Sequence, residues 1–434
     1  MALITYENSC NLDKTDLLPK LINVKNKYAN VPRKIWILRE DYDKRIKMMV
    51  RQEYHDALMA ILQWMQKKKE DPTKTYPIVV TPSKALERAS DVYPNPFETM
   101  GENKNISLRA GGIAIVGLPG IGKSIFLYYI WNLRRHLNLP TLYMPTGETA
   151  WVWKENQYFQ IQLSSCTKED RQRFLPENTW CLVDSSQNVV DVPQNVYNTR
   201  RFILQASEPR KDGLLWIEKA PIRVTYFAMR EWTAAEFIAG LQVQPRSLQV
   251  ASMDQLVEFW HKFGGSARDA YKNAFQLADY QSSLEHLAKG LTIKSLDRAC
   301  TPNPSAAQAY PHRLLSVFPL SDDDRTQSNV RPPTPHIMEI IVQALSPSPE
   351  KTQVDFFDSL VTSYNIAQRT LAAYFYDRQR ESLTSKRGSG AAERVQLKPS
   401  RSPCLIPSRH VVSTQILLQN SLFDAITFQM IVHS

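Results

Sequence analysis

The stretch Gly117-Leu118-Pro119-Gly120-Ile121-Gly122-Lys123-Ser124 satisfies the pattern G-x-x-x-x-G-K-[ST] at every constrained position. Each residue type has a chemical reason to be there. Glycines at 117, 120 and 122 let successive backbone amides close around a phosphate, with Pro119 and Ile121 completing the loop. The Lys123 ammonium can bridge the β- and γ-phosphates, and the Ser124 hydroxyl offers a ligand to Mg2+. The chemistry implied is binding of ATP with Mg2+.

Such a loop needs an acid at the end of a neighbouring strand to hold the metal's hydration shell, and Trp180-Cys181-Leu182-Val183-Asp184 supplies one. Ser124 and Asp184 are therefore the expected Mg2+ ligands. Ser185-Ser186 come next, where many vigorous ATPases place a glutamate that activates water. Glu148 is a candidate substitute base, although a solvated loop carboxylate is the plainer reading. Ser207, after the apolar run Arg201 to Ala206, is a candidate sensor of the γ-phosphate. Arg210 would serve as an arginine finger only across a subunit contact in a homo-oligomer, against the plainer reading of an exposed loop arginine. Arg268, after the turn Gly264-Gly265-Ser266-Ala267, would reach the phosphates if a lid folds over them; the rival reading is a surface ion pair.

The elements that must position these residues are legible as patterns. Ile113 to Val116 reads as a strand and Ile125 to Leu137 as a helix, on either side of the loop. The apolar runs Thr141 to Met144, Trp180 to Val183, Arg201 to Ala206 and Val224 to Phe227 predict a parallel α/β sheet. Thr233 and Glu236 form a capping box. Short helices are expected over Leu256 to Lys262, Ala267 to Leu277 and Leu284 to Lys289, with breaks at Gly264-Gly265 and Asp279-Tyr280. An amphipathic helix is expected over Arg45 to Lys67. Residues 301–308 and 320–335 read as loops around the apolar piece Leu314 to Phe318, and Ser382 to Pro407 has a flexible composition. The domain reading is a basic, partly helical region with a connector (1–104), a nucleotide-binding core (105–240), a helical lid (241–295), a linker with accessory elements (296–370) and a final segment (371–434).

Composition narrows the classes. The 434 residues are 43 % apolar, enough for real cores, and no run reaches the roughly 18 to 20 apolar residues that span a bilayer. Membrane and conventionally secreted proteins are disfavoured, because Glu7, Asn11, Asp13 and Asp16 interrupt the start where a signal peptide would be apolar. Five scattered cysteines without a Cys-x-x-Cys pair indicate neither a disulfide framework nor a zinc site. The net charge of +10 gathers at the two ends; residues 377–410 hold eight basic side chains against three acidic. Those ends are candidates for contact with DNA, or for simple solvation.

Taken together, GIAIVGLPGIGKSIFLYYIWNLRR with Tyr128-Tyr129, WCLVD, FILQASEP with Trp216 after it, YFAMREWTAAEF and FGGSAR resemble the crinkler effectors and the related retrotransposon hot spot proteins. The resemblance covers roughly residues 45–345 and is most specific over 111–240. It implies an α/β fold of the P-loop NTPase type, similar to AAA-type and signal-transduction ATPases, with a helical lid. The functional assignments carry over to Gly117, Gly122, Lys123, Ser124 and Asp184. It also implies a restriction-endonuclease-like nuclease after the ATPase and an intracellular protein, or one delivered to a host cell and its nucleus. Two departures stand out. No Leu-Phe-Leu-Ala-Lys type header is found. At the other end, Gln368 to Tyr376 and Phe423 to Ile431 resemble nuclease elements, but with Tyr376-Asp377 where Phe-Glu is expected and only Asp377, Glu381 and Asp424 as acids, so a degenerate or truncated nuclease is expected. The leading reading is a slow, nucleotide-dependent regulatory ATPase. The alternatives are a non-hydrolytic nucleotide-binding switch and an ATP-gated DNA nuclease.

Overall fold

The computed structural model describes residues 3–5, 34–41, 44–71, 74–83, 93–99, 111–145, 149–162, 174–185, 191–207, 214–219, 223–244, 251–292, 295–296, 312–345, 358 and 372. The chain divides into two units, Met1–Asp358 and Ser359–Ser434. Every strand and helix whose bounds are described lies in the first. The expected nuclease remnant, the basic segment 377–410, Glu148 and Arg210 lie outside the described residues.

Strands β1 (Leu3–Thr5), β2 (Lys34–Asp41) and β3 (Lys44–Val50) form an antiparallel sheet. Helix α1 comes next, over Gln52–Glu70. The helix expected from Arg45 thus begins later, and residues 44–50 are strand. Ile46, Met49 and Val50 satisfy helical spacing while Ile46, Met48 and Val50 satisfy a period of two, and pairing with β2 decides between them.

A seven-stranded sheet forms the core, in the order β10-β4-β9-β8-β5-β6-β7. Its members are β4 (Gly111–Val116), β5 (Thr141–Met144), β6 (Thr149–Lys154), β7 (Gln157–Gln162), β8 (Trp180–Asp184), β9 (Phe202–Ala206) and β10 (Arg223–Ala228). β10, β4, β9, β8 and β5 run parallel, while β6 and β7 extend the sheet as an antiparallel hairpin. The fully buried parallel strands explain why their sequences read as unbroken apolar runs.

Alternation along the strands sorts the two faces. Leu142, Met144, Cys181, Val183 and Ile203 share one face with Trp216, which lies on the short helix α5 (Leu215–Lys219; α2 and α4 are the short helices Pro96–Thr99 and Gln194–Tyr197). The other face carries helix α3 (Lys123–His136), whose Tyr128 and Trp131 meet Tyr143 of β5. At the amino ends of β5 and β8, buried Arg134 donates to Thr141 Oγ1 and to the Pro140 and Asn178 carbonyls. Burial pulls its pKa down to about 9. The opposite, carboxyl ends of the strands are where the candidate site lies.

Beyond β10 come α6 (Ala234–Gly240), α7 (Met253–Phe263), α8 (Ala267–Asn273) and α9 (Leu277–Ala288). The Thr233–Glu236 capping box is present in both directions. The break expected at Asp279-Tyr280 is absent: Tyr280 lies inside α9, packed on Phe259 and Phe263, and the chain turns before Leu277 instead. Strands β11 (Ser316–Pro319) and β12 (Ser328–Arg331) pair antiparallel, so the stretch read as a loop over 320–335 contains a strand, with cross-strand pairing overriding its polar composition. Helix α10 (Pro335–Leu345) closes the series against α7 and α9. No helix among the described residues is long and apolar enough to cross a membrane.

Candidate functional site

The loop from Gly117 to Gly122 joins β4 to α3, and all six of its carbonyls are engaged. Lys123 Nζ donates to Gly117 O at 3.0 Å and to Leu118 O at 3.1 Å. Ser266 Oγ donates to Pro119 O at 3.0 Å, and the Arg268 amide to Gly120 O at 3.3 Å. Ile121 O accepts from Trp232 Nε1 at 2.8 Å and Arg51 Nη1 at 3.1 Å. Gly122 O accepts from the Tyr54 hydroxyl at 3.0 Å and the Phe126 amide at 2.9 Å. The loop is therefore gripped by α1, by the residues after β10 and by the turn that starts α8.

That grip explains two of the glycines. Gly122 has φ +93°, and a Cβ there would sit 2.0 Å from Tyr54 Oη. Gly120 has φ +85°, and its Cβ would sit 2.6 Å from Ser266 Oγ and 2.7 Å from Arg268 Cβ. Both positions combine a left-handed backbone with a neighbour that leaves no room for a side chain.

At the strand ends, Ser124 Oγ donates to Asp184 Oδ1 at 2.9 Å, joining the first turn of α3 to the end of β8. Burial raises the pKa of Asp184, opposed by the Ser124 hydrogen bond and by the positive charges of Lys123 and Arg268. Arg268 thus acts electrostatically on this carboxylate, while its own amide holds Gly120. Ser207 is buried at the end of β9, the strand between β4 and β8, and its amide donates to Ile115 O. The structure so brings the loop, Ser124, Asp184, Arg268 and Ser207 to one end of the sheet. Among the described residues no group of three His, Cys, Asp or Glu side chains gathers around a metal position.

The chain is distantly similar to crinkler effectors. It is 29 % identical over 149 residues to Crinkler effector protein 15 of Phytophthora infestans, and equally to Crinkler effector protein 16 of that organism. The match covers 34 % of this chain, and the chain spans only 23 % of the length of these curated relatives. No protein-family model matches. A solved ORC2 protein of Aeropyrum pernix, in ADPNP-ADP complexes, aligns over 72 % of this chain and 88 % of its own at 12 % identity. Its TM-score of 0.29 is too low for any argument to rest on that likeness.

Several residues that hold the site carried no local signal. Arg51 is 1 % exposed and forms a forked ion pair with Glu236, Nε to Oε1 at 2.8 Å and Nη2 to Oε2 at 3.1 Å. It also donates to the carbonyls of Arg230 and Glu231. Burial alone would lower its pKa; the Glu236 carboxylate more than reverses this, and the guanidinium stays charged. Glu231 in turn accepts from the Gly265 amide at 2.9 Å, tying the end of β10 to the α7–α8 turn. A second buried arginine, Arg325, donates to Glu53 of α1, to Asp322 and to Ala228 O at the end of β10. Apart from Asp322, three residues before Arg325, these partners lie tens to hundreds of residues apart. Only the Thr233–Glu236 spacing hinted at one of them, and it announced the cap rather than the ion pair.

Proposed function

We propose that this chain binds ATP with Mg2+ at the Gly117–Ser124 loop, as a P-loop NTPase of the crinkler type that serves as a slow regulatory ATPase. The observation that carries the reading is the engagement of all six loop carbonyls by the protein's own donors. A loop so held can answer a ligand only through its amides, and amides at the start of a 14-residue helix favour an anion. Gly120 and Gly122 suit this reading because their left-handed backbone, φ +85° and +93°, is the conformation that lets a loop turn its amides around an anion.

The donor set also suits Mg2+. Ser124 Oγ and Asp184 are hard oxygens 2.9 Å apart, and Mg2+ takes one or two protein oxygens and keeps phosphate and water for the rest. When bound, the ion would offset charge on the phosphates. Lys123, whose ammonium already lies beside the loop, would contact the β- and γ-phosphates, and Arg268 would face them from the helical subdomain. On this reading α7 to α9 form a lid, because Ser266 and Arg268 hold loop carbonyls. Ser207 would sense the γ-phosphate from β9.

The crinkler similarity supports effector action in which nucleotide state selects the target, with delivery into a host cell as part of the same proposal. A second reading, a switch that binds without hydrolysis, is favoured by one observation: Ser185, next to Asp184, accepts from Gln205 and offers no base. Titration of the purified chain with a fluorescent ATP analogue, with and without Mg2+, tests the proposal. Saturable binding that Mg2+ strengthens and Lys123→Ala weakens is expected; no binding by the parent chain rejects it.

A further inference from the structure

Three hydrogen-bonding groups behind Asp184 form a chain whose direction is set by chemistry. An indole N–H can only donate. Trp216 Nε1 donates to Gln205 Oε1 at 2.6 Å, and both residues are fully buried. The amide of Gln205 is thereby oriented: its oxygen faces the indole, and its Nε2 must face the other way. There it donates to Ser185 Oγ at 2.6 Å. The Ser185 oxygen is an acceptor in this chain, so its single proton points to a further acceptor.

The chain is also rigid. Trp216 lies so close to the sheet that a Cβ on Gly112 would come within 2.6 Å of its ring. Its own amide donates to Asp191 Oδ1 at 3.1 Å, which fixes the start of α5. Gln205 pairs with Val183 in the β8–β9 register, on the Trp216 face of the sheet. Successive residues of β8 alternate, so Asp184 meets Ser124 on the α3 side while Ser185 meets Gln205 on the other. Ser185 is only half buried, at the carboxyl end of β8 and next in the chain to Asp184.

We propose that Ser185 is a hydroxyl donor to the terminal phosphate of the bound nucleotide, and that Gln205 and Trp216 are positioning residues that fix the direction of its proton. This rests on the nucleotide reading above and adds to it a basis for telling a triphosphate from a diphosphate. A glutamate at this place would take a proton from water; an oriented serine gives one to an anionic oxygen. The group that stands in for the base therefore reads the γ-phosphate rather than promoting attack on it.

The test is the ratio of ATP to ADP affinity, measured with Mg2+ on the full chain. In Ser185→Ala, ATP binding is expected to weaken about tenfold, as for loss of one hydrogen bond to a charged group, while ADP binding stays within about twofold. Ser185→Thr keeps the hydroxyl and should keep the ratio. Trp216→Phe keeps the ring but frees the Gln205 amide to turn, and should shift the ratio in the same direction as Ser185→Ala. An equal loss for both nucleotides would mark a merely structural role and overturn the proposal, as would an unchanged ratio in Ser185→Ala. If the parent chain binds neither nucleotide, the nucleotide reading fails and this proposal with it; if it binds both and the ratio is insensitive to Ser185, this proposal alone fails.

Discussion

Arg51 and Glu236 stand 185 residues apart in the chain and form a buried, two-pronged ion pair at the base of the glycine-rich loop. Glu236 Oε2 also accepts from the Thr233 amide, so one carboxylate caps α6 and neutralises the cation that holds Ile121. Removing one partner of such a pair leaves the other charged and dry. Arg51→Ala is therefore expected to destabilise the fold by about 3–5 kcal/mol. Arg51→Lys, which keeps the charge but not the fork, should fall between the two. Urea unfolding of the three proteins checks the order; an Arg51→Ala midpoint equal to the parent's would show that the pair contributes nothing.

Gly122 and Tyr54 give a prediction in two parts. A side chain at 122 must adopt φ +93° and also displace the Tyr54 hydroxyl. The backbone part costs about 1–2 kcal/mol for an L-residue in the left-handed region. Gly122→Ala should therefore unfold earlier than the parent and lose nucleotide affinity. Adding Tyr54→Ala opens the space but leaves the backbone cost, so the double variant should recover stability only in part. Full recovery, measured by thermal unfolding, would show that the steric clash alone selects glycine.

Lys123 donates to two loop carbonyls and is the cation proposed to meet the phosphates. Its removal should weaken ATP binding by about tenfold to a hundredfold, from loss of charge-assisted hydrogen bonds. The fold should hardly change, since the loop keeps its grips from Ser266, Arg268, Arg51, Trp232 and Tyr54. Calorimetric titration alongside circular dichroism separates the two effects. Unchanged affinity removes Lys123 from the site.

How much was legible in the sequence depends on how local each signal is. The loop residues, the parallel strands and the Thr233 cap are written within a few positions, and each reappears in the structure. The β6–β7 hairpin escaped because its turn, Glu155-Asn156, has both residues at positive φ without the glycine that normally marks such a turn. Arg51 looked like one polar residue inside a helical pattern; its role appears only when α1 lies on the loop. Gln205 looked like a blemish in the apolar run of β9. It is buried because Trp216 and Ser185 satisfy its amide, and nothing within β9 announces those partners.

Asp184 predicts a pH dependence. Burial puts its folded pKa above the ordinary value of 3.8, so the folded chain takes up the proton more readily than the unfolded one. The resulting stability is fully present below 3.8 and is lost as pH rises through the folded value. At pH 7 the carboxylate is thus a net burden on the ligand-free fold. Asp184→Asn, which still accepts from Ser124, should be more stable than the parent at neutral pH, with the gap closing as pH falls toward 3.8. The same variant should lose the strengthening of ATP binding by Mg2+. A variant less stable than the parent at pH 7 contradicts the sign, and retained Mg2+ dependence contradicts the metal assignment.

Ser185 sets the last expectation, which concerns turnover. With an oriented hydroxyl where a proton acceptor would stand, steady-state hydrolysis should be slow, below about 0.1 per second and so beneath the usual range for enzymes. Ser185→Glu places a carboxylate at the end of β8 without disturbing the groups behind it, because Gln205 Nε2 can donate to a carboxylate as readily as to a hydroxyl. General bases contribute about a hundredfold or more when well placed, and an imperfectly placed one should still raise turnover by about tenfold. Phosphate release by parent and variant, each saturated with ATP, makes the comparison. A variant that, at saturating ATP, turns over no faster would locate the barrier elsewhere than in the missing base.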